Sequence, residues 1–250
     1  MDLAARLSEV KSGFARTFWV ANVLELFERF SFYGSKIVLA VFLAETVGLG
    51  PFGVSLVGFY GFAVYFLPIL AGPLVDRFGF KKSLAACFGI FSLGYFLIGL
   101  SGMPMGQPPV QAVGTKTWVV CALLITAIGG SLIKPCIVGT VARTTTKDTK
   151  ALGYSIYYTL VNVGGWLGPV LASQVRVSLG IAQVLVGASL TSFVLFLATL
   201  VFFKEPARDP GAEERTLGKV LKDAALVVAN GRFIGFLVIF TGFWVMFWQV

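Results

Sequence analysis

Six apolar stretches, each roughly long enough to cross a bilayer, occupy most of the first 203 residues: approximately 18–43, 53–75, 83–100, 118–142, 153–175 and 180–203. A hydrocarbon core of about 30 Å takes about 20 residues of helix, so each stretch reads as one transmembrane helix. A seventh begins near Arg232 and is still apolar at Val250, which reads as the front part of a longer protein. With 57% hydrophobic residues, 13% charged residues and a mean hydropathy of +0.86, a soluble domain would lack the polar surface to cover itself.

The connections set the expected orientation. Fifteen of the 20 lysines and arginines fall in the leader and in the connections after the second, fourth and sixth stretches, among them Arg77, Lys81, Lys82, Arg143, Lys147 and Lys150. The alternate connections carry only Lys116 and Arg176, so the amino terminus is expected in the cytoplasm. The net charge of +8 is thus a topology signal, and a nucleic-acid reading fails because the positive residues are spread between spans. The first sixteen residues mix charges without the apolar core of a cleaved signal and read as a short amphipathic helix. Cys87, Cys121 and Cys136 show no metal-site spacing and read as small core residues. Histidine is absent, which leaves titration to carboxylates. Residues 204–232 read as a linker with an interfacial helix, from the spacing of Leu217, Val220, Leu221, Ala224, Ala225 and Val228. Six spans, a long basic connection and a seventh span suggest one half of a pseudo-symmetric carrier.

Charges interrupt the first stretch at helical spacing. A charge at mid-bilayer costs roughly 3 kcal/mol or more, so Glu25, Glu28, Arg29 and Lys36 persist there only if paired, wet or functional. Glu25 lies three residues from Glu28 and four from Arg29, and Tyr33 and Lys36 continue the same general face. Two close carboxylates do not both ionise cheaply, which suits one of them to carry a proton; a structural ion pair is the plainer reading. Lys134 stands alone in the fourth stretch, followed by Pro135. Measured from the edges marked by Arg16 and Arg143, Glu25 and Lys134 both lie nine residues in, about 13 Å deep, and can meet. Glu28, Tyr65 and Asn162 lie twelve residues in, about 18 Å deep, near the midplane where carriers bind substrate. Tyr158 shares a face with Asn162 and Trp166 at four-residue spacing and is preferred over Tyr157 as cavity-lining. Gly129, Gly130 and Gly139 are assigned to close packing and Pro135 to a bend.

The connection between the second and third spans carries Gly72, Asp76, Arg77, Gly79, Lys81 and Lys82. Its glycines allow a tight turn, and Asp76 can accept hydrogen bonds from the next helix's first turn or pair with a cation. A charged turn at the membrane edge cannot reach a midplane substrate, so Gly72, Asp76, Arg77 and Gly79 are assigned to gating.

This connection resembles the signature of the major facilitator superfamily, Gly-x-Leu-x-Asp-Arg-x-Gly-Arg-Lys/Arg-Lys/Arg, with Phe80 at an arginine position. Within it, Glu25, Glu28, Arg29, Phe30, Phe32, Tyr33 and Gly34 resemble the Glu-x-x-Glu-Arg-Phe-x-Tyr-Tyr-Gly pattern of the proton-dependent oligopeptide transporter family. Val64-Tyr65, Ile133-Lys134-Pro135 and the segment around Asn162 are similar to further motifs of that family. The resemblance implies an alternating-access symporter. In it Glu25, Glu28, Arg29 and Lys134 take part in proton coupling, and Arg29, Tyr33, Lys36, Tyr65, Lys134 and Asn162 line a peptide cavity. Phe32 stands where the family has a tyrosine, removing a hydroxyl from the expected pocket, and Trp166 where a smaller residue is common. In the seventh span Trp248 replaces the acidic residue that the resemblance leads one to expect.

Cations dominate this half, and Arg29, Lys36 and Lys134 suit a carboxylate or another small anion. An intramembrane enzyme would need a nucleophile with a base or a metal, and no catalytic residue, metal site or cofactor is expected. A channel would want polar residues along a whole pore, and these cluster at one depth. A non-transporting sensor of the same fold is the alternative that the loss of the acid at Trp248 favours. The fold expected is an all-α membrane protein, a six-helix amino-terminal bundle of the superfamily with a 3+3 inverted repeat, plus the start of helix seven. Residues 1–203 form the bundle, 204–231 the cytoplasmic linker and 232–250 the start of a carboxy-terminal bundle. The expected partners are a peptide or small anion, protons, membrane lipid and that second bundle, with the proton gradient as driving force at the plasma or inner membrane.

Overall fold

Hydrocarbon offers no partner for a peptide N–H or C=O, so a chain this apolar must satisfy its backbone internally. The computed structural model describes residues 13–207 and 217–249, and all their regular structure is helical. The chain divides into two compact units, residues 1–212 and 213–250. In the first, α1 (Arg16–Val41) ends in a π-helical turn (Phe42–Thr46). There follow α2 (Gly50–Phe66), α3 (Pro68–Phe78), α4 (Phe80–Leu100), a short α5 (Gln107–Val113), α6 (Thr115–Thr144), α7 (Lys150–Leu179) and α8 (Ile181–Phe202). The second holds α9 (Leu217–Val228) and α10 (Gly231–Gln249). The helix expected in the leader lies outside the described residues.

By length and composition α4, α6 and α8 can each cross a membrane, and α2 with α3 makes a fourth span bent by 44°. The 26 residues of α1 and 30 of α7 are also long enough, but α1 carries Glu25, Glu28, Arg29 and Lys36, and α7 is rich in Tyr, Ser and Gly. The second apolar stretch, expected as one helix, breaks at Pro68. Proline has no N–H for the Val64 carbonyl and its ring crowds that turn, so the ladder stops at Leu67, whose N–H still reaches Ala63 O at 2.9 Å.

The two polar helices pack on each other, and α4 lies against both α6 and α8. Glycine makes the first contact possible. A Cβ at Gly34 would stand 3.0 Å from Gly168 O, and Cβ atoms at Gly164 and Gly168 would run into the carbonyls of Leu26 and Phe30. On the other side Gly129 and Gly139 back onto α4, where a Cβ would come within 3.0 Å of Ile90 Cγ2 and 2.5 Å of the Phe80 ring. The core between them is apolar and fully buried around Phe18, Phe88, Phe91, Leu123 and Ile137. Lateral hydrogen bonds tie neighbours together: Trp118 Nε1 donates to Leu97 O at 2.9 Å and Ser189 Oγ to Ser92 O at 2.7 Å. Cys87 and Cys136 are buried, but Cys121, expected in the core, is exposed because it falls on the outer face of α6.

Candidate functional site

Three helices bring five ionisable side chains together in the bundle. Glu25, Glu28 and Arg29 project from α1, Lys134 from α6 and Tyr157 from α7, and the first three are 0%, 2% and 6% exposed. Arg29 grips the Glu28 carboxylate with two groups, Nη2 to Oε1 at 2.7 Å and Nε to Oε2. Its Nε also lies 3.4 Å from Glu25 Oε1. That same oxygen meets Lys134 Nζ at 3.3 Å and accepts from the Tyr157 hydroxyl at 3.3 Å, while Lys134 donates to Tyr157 OH at 2.9 Å. Glu25 Oε2 is buried with no hydrogen-bond partner among the described residues. Two carboxylates and two cations balance, which is what allows charge to be buried at all. The cluster is uneven. Glu28 and Arg29 form a closed bidentate pair, whereas the Lys134 side chain is 39% exposed and ties Glu25 to the opening of the site.

Phe32 is buried rather than pocket-lining, with the Arg29 guanidinium 4.8 Å and the Lys36 ammonium 5.8 Å from its ring centroid. One ring thus steadies two cations, a role that needs no hydroxyl. Tyr33 is half-buried on Gly165, where a Cβ would stand 3.3 Å from its ring. Lys36, Asn162 and Trp166 are exposed, as are Tyr65 (66%) and Tyr158 (59%). Tyr65 stands within electrostatic range of Tyr33, Arg29 and Glu28. Among the described residues neither Tyr158 nor Asn162 hydrogen-bonds to the cluster; Tyr158 touches it only through an edge-on ring contact with Tyr157 at 5.0 Å. Tyr157, and not the Tyr158 that four-residue spacing favours, is the tyrosine that joins the charges. A signal was present. Gly153, Tyr157, Gly164, Gly168 and Ala172 are the buried residues of α7, and they lie along one stripe whose small members face α1.

At the basic edge of the bundle the turn between α3 and α4 is a single residue, Gly79, at φ +85°, a conformation that only glycine adopts without strain. Gly72 is instead helical, inside α3, with open space beside it, so it makes no turn. The first-turn N–H groups of α4 do not go to Asp76. Glu205, just after α8, takes them from Phe80 and Lys81 at 2.7 and 2.6 Å, and Asp76 faces Arg143 at 3.9 Å. Phe80 is buried against Gly139 with the Arg143 guanidinium 4.2 Å above its ring, which accounts for an aromatic residue at this position. Arg77 is exposed.

The Major Facilitator Superfamily profile matches residues 22–250. The chain belongs to this superfamily. Among curated relatives, the Di-/tripeptide transporter of Lactococcus lactis subsp. lactis is 29% identical over 200 residues, covering 74% of this chain and 38% of the relative. The Dipeptide and tripeptide permease A of Citrobacter koseri is 27% identical over 221 residues, covering 85% and 42%. This superfamily chain therefore spans about two fifths of the length of these relatives, and the resemblance to oligopeptide transporters read from its first helix agrees with their names. Solved structures share the fold. The peptide transporter POT in complex with sulfate aligns at a TM-score of 0.61 with 21% identity, over 93% of this chain and 46% of that one. A mutant of the peptide transporter POT bound to alafosfalin aligns at 0.64 with 22% identity, over 90% and 45%. The all-α fold expected from the sequence, a six-span amino-terminal bundle with the start of a seventh helix, is the one observed.

Proposed function

We propose that this chain is the amino-terminal half of a proton-coupled symporter that moves di- and tripeptides, or related small anionic or zwitterionic solutes, by alternating access. The observation that carries the reading is the sharing of one Glu25 oxygen by Arg29, Lys134 and Tyr157 while its other oxygen is buried without a partner among the described residues. A proton arriving on that free oxygen neutralises Glu25 and cancels its hold on Lys134. At an effective dielectric constant of 20 the gross attraction is on the order of 4 kcal/mol, and because the Lys134 side chain is 39% exposed, water returns most of it, leaving about 1–2 kcal/mol, a bias of about five- to thirtyfold on a two-state equilibrium. Lys134, already partly exposed, then meets a substrate carboxylate, and losing the substrate returns it to Glu25. Glu28 exchanges the proton with Glu25, and once neutral it releases Arg29 to the substrate's anionic end. Tyr33, Lys36, Tyr65, Tyr158 and Asn162 are assigned to substrate contact, and Gly72, Asp76, Arg77 and Gly79 to gating on the cytoplasmic side. The amino terminus is placed in the cytoplasm of a plasma or inner membrane. Residues 1–203 form the first bundle, 204–231 a linker, and 232–250 the start of the partner bundle.

The test is uptake of labelled dipeptide by the full-length protein in liposomes with an imposed pH gradient. Glu28→Gln should abolish gradient-driven accumulation while exchange of peptide across the membrane survives. Normal concentrative uptake by this variant would remove Glu28 from the mechanism. A second reading, a substrate sensor, is favoured by Trp248 standing where the resemblance calls for an acid. It expects dipeptide binding without uptake in the unaltered protein.

A further inference from the structure

A groove of about 320 Å³ opens between α3, α4 and α6 at the basic edge of the bundle, away from the charge cluster. Its walls are apolar: Leu74 and Phe78 from α3, Ala86 from α4 and Leu132 from α6, with Ser83 and Lys82 at one end. Leu74 and Phe78 are 40% and 56% exposed, so the trough is open along its side. The volume falls at the lower end of the small-molecule range, roughly 300–1,000 Å³, but the polar groups that would orient a soluble ligand are confined to one end.

That end is positive. Lys82 is exposed and makes no ion pair among the described residues. Of the described carboxylates near this end, Glu205 is engaged with the Phe80 and Lys81 amides and Asp76 with Arg143. With Glu205 filling the start of α4, an anion at this edge finds the Lys82 ammonium rather than the helix end. An apolar trough on a membrane-spanning surface, capped at the level of the α3–α4 turn by a lysine with no ion pair among the described residues, has the polarity profile of one phospholipid: chain in the trough, headgroup at the ammonium.

We propose that this groove binds the acyl chain of an anionic phospholipid from the leaflet bordering the α3–α4 turn, with Lys82 on its headgroup. The occupant is separate from the transported solute, and the site stands whether or not the chain transports peptide.

Native mass spectrometry of the full-length protein, titrated with phosphatidylglycerol or phosphatidylcholine, measures this directly. The unaltered protein should hold phosphatidylglycerol about fivefold more tightly, the factor for one lysine near an anionic leaflet. Lys82→Gln should equalise the two lipids, and Ala86→Phe, which fills the trough, should weaken both. Lys116→Gln, at the opposite edge, should change neither. Phosphatidylglycerol with a photoreactive acyl chain should label residues 74–86, and the label should disappear in Ala86→Phe. Equal retention of both lipids by the unaltered protein would overturn the proposal. So would the absence of label in 74–86, the result expected if another polypeptide, such as a carboxy-terminal bundle or a second copy, covers the groove.

Discussion

Replacing Tyr157 by phenylalanine removes one hydroxyl and nothing else from a site that is 1% exposed. The hydroxyl makes two contacts, and they do not count equally. Its bond from Lys134 at 2.9 Å is the shorter, but that side chain is 39% exposed and regains water when the oxygen goes. The bond it donates to Glu25 Oε1 is 3.3 Å long, and Glu25 is sealed from water, so its loss is not repaired. Hydrogen bonds to charged groups contribute about 1.5–3 kcal/mol, and the length of this one puts the cost at the lower end, about 1.5 kcal/mol. Tyr158→Phe, one residue along and 59% exposed, should stay within about 0.5 kcal/mol of the parent. Reversible unfolding of the full-length protein in mixed detergent micelles measures both. A double-mutant cycle of Tyr157→Phe with Glu25→Gln isolates the contact, with about 1 kcal/mol of coupling expected. Equal losses for the two tyrosines, or coupling below about 0.3 kcal/mol, would refute the assignment of Tyr157 to the cluster.

Three further substitutions test other contacts by the same unfolding measurement. Gly168→Ala drives a methyl into the Phe30 carbonyl, a backbone atom that cannot rotate away, and should cost about 3 kcal/mol, whereas Gly187→Ala on α8, with open space around it, should be neutral or stabilising. Phe80→Arg, a return to the residue common in the superfamily signature, sets a second cation beside Arg143 in a buried place and should destabilise by about 2 kcal/mol; a neutral result would show that the ring is not packed there. Glu205→Ala strips two acceptors from the start of α4 and should cost about 1 kcal/mol, with Glu205→Gln recovering part of it; no loss in either would mean that the cap contributes nothing to stability.

The spans were legible because burial in lipid leaves a long apolar run that survives any detail of packing. The meeting of Glu25 with Lys134 was legible too, since residue counts from the basic edges fix depth independently of helix rotation. Rotation is where reading from depth fails. Tyr157 and Tyr158 differ by a single residue and about 100° around the helix, and only the small-residue stripe through Gly153, Gly164, Gly168 and Ala172 indicates which one turns inward. Glu205 could not be read at all as the cap of α4, because it reaches Phe80 across 125 positions of sequence through the packing of α4 and α8. Local rules pointed instead to the nearest acid, Asp76. The break at Pro68 carried a plain chemical signal, a missing N–H inside an apolar run, that hydropathy alone passes over.

Where α1 and α7 meet, carbonyl lies against carbon with no side chain between to cushion a shift, so neither helix can slide or roll without carrying the other. Glu25, Glu28 and Arg29 therefore travel with Tyr157 as one piece, and any change of spacing inside the charge group falls on the lysine contributed by α6. The separation between Lys134 and Glu25 becomes a one-dimensional gauge of the bundle, and a pair of probes placed across α1 and α6 at that height would report its state.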